Sequence, residues 1–154
     1  MKLNLGCGQD IRHNYINVDR EAVPNLPDTL FRQGDIRDLD WLCGDEYVEE
    51  ILALNVLQCF NIDDLPQILE GWRRKLIDNG IIKISICDAQ SLMIDFNRGN
   101  LNVLNLNSII FGNKHENLCT MDFYHLQNIL REGKLQILTS KFNDSEFYTE
   151  AQKC

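Results

Sequence analysis

Apolar and polar residues alternate with a period of two in several short segments, and between them lie turn residues or stretches with helical spacing, the arrangement of an α/β sheet protein. The alternation predicts strands over residues 2–5, 15–18, 29–33, 50–54, 81–87, 135–140 and 146–151. A helix is predicted over 64–77, where Leu65, Ile68, Leu69, Trp72 and Leu76 fall at helical spacing, Pro66 sits in the first turn and Asn79-Gly80 supplies a left-handed stop. A second is predicted over 122–132, with Phe123, Leu126, Ile129 and Leu130 on one stripe and Gly133 beyond its end. Residues 38–47 suit a short third helix, and the Asn-rich stretch 99–117 reads as a loop or lid with one helical turn.

The first two connections are short. Only residues 6–14 separate the first two strands, and only 19–28, broken by Pro24 and Pro27, separate the second from the third. A parallel crossover normally takes a dozen or more residues and a helix, so these two crossover helices are predicted to be reduced or absent. The alternation agrees, because parallel strands covered on both faces read as continuous apolar runs. Ile82, Ile84 and Ile86 oppose Lys83 and Ser85, Leu3 and Leu5 oppose Asn4, and Ile16 and Val18 oppose Asn17. Helices are therefore expected mainly on one face. The face with Asn4, Asn17, Lys83 and Ser85 is expected to meet water or a polar partner surface, and a homodimer through it is one way to cover it.

The length of 154 residues fits one domain spanning residues 1–154, and a hydrophobic fraction of 44% is enough for a core. The net charge of −8 repels phosphate backbones and anionic lipid, which disfavours nucleic acid and membrane as partners. No apolar run approaches the roughly 20 residues that span a bilayer. Six cysteines, at 7, 43, 59, 87, 119 and 154, form no CxxC pair and no metal-ligand spacing, so no metal site is expected. The Met1-Lys2-Leu3-Asn4 start runs into motif-bearing sequence without the apolar stretch of a signal peptide, and a cytoplasmic protein with reduced thiols is the expectation.

Four segments carry candidate chemistry. Lys2-Leu3-Asn4-Leu5-Gly6-Cys7-Gly8 is a strand ending in a glycine turn, where the backbone can turn sharply and approach a ligand. Tyr15-Ile16-Asn17-Val18-Asp19 ends the next strand in a carboxylate able to accept from the vicinal hydroxyls of a ribose. Gln33-Gly34-Asp35-Ile36 places a second carboxylate after the third strand, suited to an adenine amine, with Ile36 offering an apolar face. Leu52-Ala53-Leu54-Asn55-Val56-Leu57-Gln58 ends the fourth at the sheet edge where open α/β sheets bind ligands. Taken singly, a glycine turn, a charged turn and a capping Asn would explain these residues.

In this order the segments resemble the class I S-adenosylmethionine-dependent methyltransferases, most closely short members that open with an LNLGCG segment and reach INVD a few residues later. The resemblance covers residues 2–88 well and the remainder loosely, including the Phe147-Tyr148-Thr149-Glu150-Ala151 ending. It implies a Rossmann-like, mostly parallel seven-stranded sheet with a final antiparallel strand. It also implies transfer of a methyl group from S-adenosyl-L-methionine, by in-line displacement, to a small-molecule or sugar acceptor, with S-adenosyl-L-homocysteine as product. By the family's pattern Leu5, Gly6, Cys7 and Gly8 would line the methionine part of the cofactor, Asp19 the ribose, Asp35 and Ile36 the adenine, and Asn55 with Leu57 would lie near the sulfonium. Asp88, at the end of the fifth strand, and His115 are the candidate general bases for a hydroxyl acceptor, and a helix or loop cap is the competing role for Asp88. Gln58-Cys59 stands where the family often has Glu-His, and Asp78-Asn79-Gly80 where it often has a Pro-Gly-Gly type turn. Two other readings compete: a non-catalytic cofactor-binding or assembly subunit, and a nicotinamide-binding protein, the latter lacking the helix its fingerprint needs between Gly6 and Asp19.

Overall fold

The described residues form one sheet of β1 (Lys2–Leu5), β2 (Ile16–Asp19), β3 (Phe31–Gln33), β4 (Val48–Leu54), β5 (Leu76–Cys87), β6 (Leu135–Asn143) and β7 (Glu146–Lys153), ordered β3-β2-β1-β4-β5-β7-β6. The structure, a computed structural model, describes residues 1–113 and 116–154. The first five strands pair in parallel, and β7 runs antiparallel to both β5 and β6. This is the mixed α/β sheet expected, with strand ends shifted by a few residues.

Register explains which residues share a face, because directly paired residues point the same way. Leu3 pairs with Ile51, Ile51 with Ile82 and Ile82 with Ala151, and all are fully buried. Onto this face pack α1 (Leu65–Lys75), through Leu65, Ile68, Leu69 and Trp72, and α4 (Phe123–Glu132), through Leu126, Ile129 and Leu130. Phe147 and Thr149 of β7 lie on the same side. Among the described residues no helix forms between β1 and β2 or between β2 and β3, so both crossovers lack one, as their lengths predict.

The opposite face departs from expectation. Asn4, Asn17 and Ser85 are buried rather than wet. The loop after β1 folds back over the sheet, and the two asparagines satisfy it. Asn4 Nδ2 donates to Asp10 O at 2.7 Å, Asn17 Oδ1 accepts from Arg12 N at 2.9 Å, and Asn17 Nδ2 reaches Arg12 O at 3.0 Å. A loop pinned by side-chain amides thus replaces a helix layer, which satisfies groups that burial would otherwise penalise. Lys83 remains partly exposed and pairs with the buried Glu50 at 2.9 Å, and the Tyr15 hydroxyl donates to the same carboxylate.

The helix predicted over 64–77 ends at Lys75, and β5 begins at Leu76. Asn79-Gly80 is not its stop. The register jumps from Val48↔Leu76 to Glu50↔Ile81, so these residues form a bulge in β5, with Asn79 taking the positive φ of 62°. No helix forms over 38–47; its turns are stapled by the buried Lys75, whose Nζ lies 2.8 Å from Asp45 Oδ1 and also bonds Asp40. Two helices were not expected in full. They are α2 (Ala89–Asn97), capped by Asp88, and α3 (Val103–Phe111), capped by Asn102 and lying inside the stretch read as a loop. Their apolar residues do not keep to one stripe: Met93, Ile94, Phe96, Val103, Leu104 and Phe111 are exposed, while Leu92 and Leu106 are buried.

Candidate functional site

The carboxyl ends of β3, β2, β1 and β4 open side by side into a cleft of about 590 Å³, at the sheet edge where ligands of open α/β sheets bind. Gly6 and Gly8 follow β1, Asp19 ends β2, Asp35 and Ile36 follow β3, and Asn55 follows β4, and all six line the cleft. Leu5, Cys7 and Leu57 do not. Leu5 and Leu57 are fully buried core residues, and Cys7 is buried between the two glycines. Burial, reinforced by the charge of Asp19, pushes the Cys7 thiol up to about 11, so it stays protonated.

The two glycines do different work. At Gly6, with φ of 64°, an added Cβ would lie 2.3 Å from Val56 Cγ2, so this glycine lets β1 turn against the end of β4. At Gly8, with φ of 48°, an added Cβ would meet nothing within 4 Å, and the bare backbone faces the cleft. Gly8 N donates to Asp19 Oδ2 at 2.8 Å and Glu21 N donates to Asp19 Oδ1 at 2.9 Å. A carboxylate offers about four acceptor positions, so Asp19 is oriented by its own loops and still has capacity for a pair of vicinal hydroxyls.

Across the cleft, Arg37 Nε donates to both oxygens of Asp35, at 3.0 and 2.9 Å, and this guanidinium holds the Asp35 carboxyl below the usual carboxylate range. Ile36 is fixed by the Trp72 indole, which donates to its carbonyl at 2.6 Å, and supplies an apolar wall beside Asp35. Trp41 packs on Gly34, where an added Cβ would come within 2.1 Å of the ring, and its indole donates to Asp35 O at 2.9 Å.

Asn55 adopts a left-handed conformation, φ 52°, uncommon for a residue other than glycine. Three hydrogen bonds hold it there: Asn55 N to Ser85 O at 2.9 Å, Gln58 Nε2 to Asn55 O at 2.9 Å, and Asn55 Nδ2 to Glu146 Oε1 at 2.9 Å. Asp88 lies away from the cleft. It caps α2 through Ser91 N at 2.8 Å and Ser91 Oγ at 2.7 Å, and its other oxygen accepts from Phe123 N at 2.9 Å, the first residue of α4. His115 lies outside the described residues.

Motif reasoning missed one wall. Leu118 N and Cys119 N both donate to Gln58 O, at 2.7 and 3.1 Å, which ties the segment after α3 to the corner after β4 and brings Glu116 and Leu118 to the cleft. Its residues have neither helical nor strand periodicity, so the pattern marked Glu116 only as part of a loop or lid and Leu118 not at all. Burial pushes the Cys59 thiol up in this corner, with Glu116 adding to the effect. Gly8 open to the cleft, Asp19 with acceptor capacity and Ile36 beside Asp35 together fit a nucleoside-bearing ligand.

No protein-family model matches the chain, and no curated protein matches it. Its shape does match solved structures. A Methanosarcina mazei SAM-dependent methyltransferase, 12% identical, aligns over 99% of this chain and 91% of its own with a TM-score of 0.69. A Thermotoga maritima SAM-dependent methyltransferase described as a possible histamine N-methyltransferase, 15% identical, aligns over 99% and 81% with a TM-score of 0.70. The Burkholderia thailandensis 1,6-didemethyltoxoflavin-N1-methyltransferase, solved with bound 1,6-didemethyltoxoflavin and S-adenosylhomocysteine, is 14% identical and aligns over 99% and 70% with a TM-score of 0.69. At these identities the likeness shows the fold: this chain has the Rossmann-like sheet of the SAM-dependent methyltransferases.

Proposed function

We propose that the protein is an S-adenosylmethionine-dependent methyltransferase acting on a small molecule. The observation that carries this reading is the convergence of Gly8, Asp19, Asp35 and Asn55, from the ends of four adjacent strands, on one cleft. When bound, the cofactor supplies a methyl group already activated on a sulfonium, so the chain's own task is to bind, orient and exclude water. In this reading Asp19 accepts from the ribose hydroxyls, Ile36 packs on the adenine beside Asp35, and the Gly6-Cys7-Gly8 backbone passes under the methionine part. Asn55, rigid at the β4 end, flanks the methyl-bearing side. The Methanosarcina and Thermotoga neighbours are SAM-dependent methyltransferases and the Burkholderia neighbour holds 1,6-didemethyltoxoflavin with S-adenosylhomocysteine, which supports this reading.

One observation favours the non-catalytic alternative: the carboxylate at the end of β5, Asp88, is consumed by two helix starts and is not presented to the cleft. A cofactor-binding subunit would need no such group. Titration calorimetry with S-adenosylmethionine, S-adenosylhomocysteine and NAD tests the cofactor, and mass spectrometry of a small-molecule library incubated with donor tests transfer. Binding of the first two but not NAD, with a mass gain of one methyl group on an acceptor, is the expected result. Saturable binding with no acceptor methylated would favour the subunit, and NAD binding alone would end the proposal.

A further inference from the structure

A second hollow, of about 310 Å³, lies beyond the ends of β5 and β7. Its size falls at the lower end of small-ligand sites. Its apolar wall is made by Leu92, Leu101 and Ile109, contributed by α2, α3 and the link between them, and its polar rim by Asp95, Asp144 and Glu146. No lysine or arginine is among its described lining residues. Ser145 Oγ donates to Asp95 Oδ2 at 2.7 Å, Asn100 Nδ2 donates to Asp95 Oδ1 at 3.3 Å, and these donors hold the Asp95 carboxyl below the usual range.

Asn55 joins this hollow to the first cleft. Asn55 lines the cleft, and its side-chain amide donates at 2.9 Å to Glu146, which lines the hollow. The left-handed backbone of Asn55 turns the chain at this boundary.

We propose that the second hollow is the acceptor pocket and that it takes a small amine with an apolar body, its ammonium nitrogen held against Glu146. This rests on reading the first cleft as the cofactor site. Arg98 offsets part of the charge of Asp95, but with no lysine or arginine in the described lining the three carboxylates disfavour an anionic acceptor and leave a neutral one with surplus acceptors, whereas an ammonium group satisfies both charge and hydrogen bonding. The leucines and Ile109 take the remainder of the molecule. Glu146 uses one acceptor position on Asn55 and so is oriented by the residue that borders the donor cleft; there it can also receive the proton that an ammonium nitrogen must lose before it is nucleophilic.

The test uses the full chain saturated with S-adenosylhomocysteine and three probes of one shape: phenethylamine, 2-phenylethanol and 3-phenylpropionate. Calorimetry should give the amine an affinity about tenfold or more above the other two, and methyl NMR should place its contacts on Leu92, Leu101 and Ile109. Glu146→Gln keeps an acceptor for Asn55 and removes the charge, and it should cut the amine preference about tenfold while S-adenosylhomocysteine still binds. Equal affinity for the three probes, a preference that survives Glu146→Gln, or amine contacts elsewhere would overturn the proposal. If the adenosyl ligand does not bind while the amine does, the cofactor reading fails and with it the acceptor role. Adenosyl binding without amine preference ends this inference alone.

Discussion

Gly8 N donates to Asp19 Oδ2 at 2.8 Å, so the glycine turn after β1 and the carboxylate at the end of β2 form one unit. Asp19 is pre-oriented by backbone amides from both flanking loops, which lowers the ordering cost of ligand binding. Asp19→Ala should therefore weaken S-adenosylhomocysteine by roughly 1–3 kcal/mol, the cost of leaving hydroxyls unpaired in a pocket. Asp19→Asn, which retains one acceptor, should lose less. Calorimetry on both variants, with thermal melts to confirm folding, measures the difference; unchanged affinity in folded Asp19→Ala would remove it from the ribose site.

The two glycines should separate on substitution. Gly6→Val drives a side chain into Val56 at a positive φ, so it should destabilise the fold by about 1–3 kcal/mol and abolish ligand binding. Gly8→Ala adds an atom in open space, leaving only the cost of its backbone conformation, on the order of 1 kcal/mol, and its loss should show mainly in ligand affinity. Urea midpoints with and without ligand distinguish the two. A Gly8→Ala protein that binds normally would show that the bare backbone at this position is not required.

Asp88 is predicted to act on stability alone. Asp88→Ala removes a cap from α2 and a buried acceptor from the first amide of α4, and should cost about 2 kcal/mol or more. Ser91→Ala, which keeps the carboxylate, should cost about 1 kcal/mol. Denaturant unfolding gives these values, and a folded Asp88→Asn protein should bind S-adenosylhomocysteine with wild-type affinity.

Glu50 makes the stability of the face that carries Lys83 depend on pH. Burial pushes its carboxyl up, but the Tyr15 hydroxyl and the Lys83 ammonium outweigh this and the net direction is down. A folded-state value below the unfolded one means the stabilisation is present above about pH 4.3, the unfolded range, and is lost as pH falls through the folded value. Glu50→Gln should thus show a smaller fall in urea midpoint between neutral pH and the acid side of that range than the wild type does. Parallel acid profiles for the two proteins would contradict the role given to the Tyr15–Glu50–Lys83 cluster.

Most strands were legible because they set apolar residues on the core face against polar ones on the other and so alternate in residue type, and α1 and α4 because each buries one stripe. α2 and α3 were obscure for the converse reason: Leu92 and Leu106 are buried, but Met93, Ile94, Val103 and Leu104 beside them are exposed, so no stripe stands out. Their starts were nevertheless written in Asp88 and Asn102, both capping residues. The lining of the first cleft could be read because its residues follow strands in short, ordered motifs. The second hollow could not, since Asn55 and Glu146 are 91 residues apart and only the antiparallel return of β7 beside β5 brings them together. Asn17 shows a subtler miss: its phase on the strand was correct, but its burial depends on a loop whose path no periodicity encodes.

A crystal structure of the protein grown with S-adenosylhomocysteine tests the central claim most directly. The account predicts the ribose hydroxyls on the Asp19 carboxylate, the adenine against Ile36 beside Asp35, and the amino-acid part over Gly6 to Gly8, with the sulfur turned toward Asn55. A ligand seated elsewhere, or one lying in this cleft with its ribose away from Asp19, would contradict it.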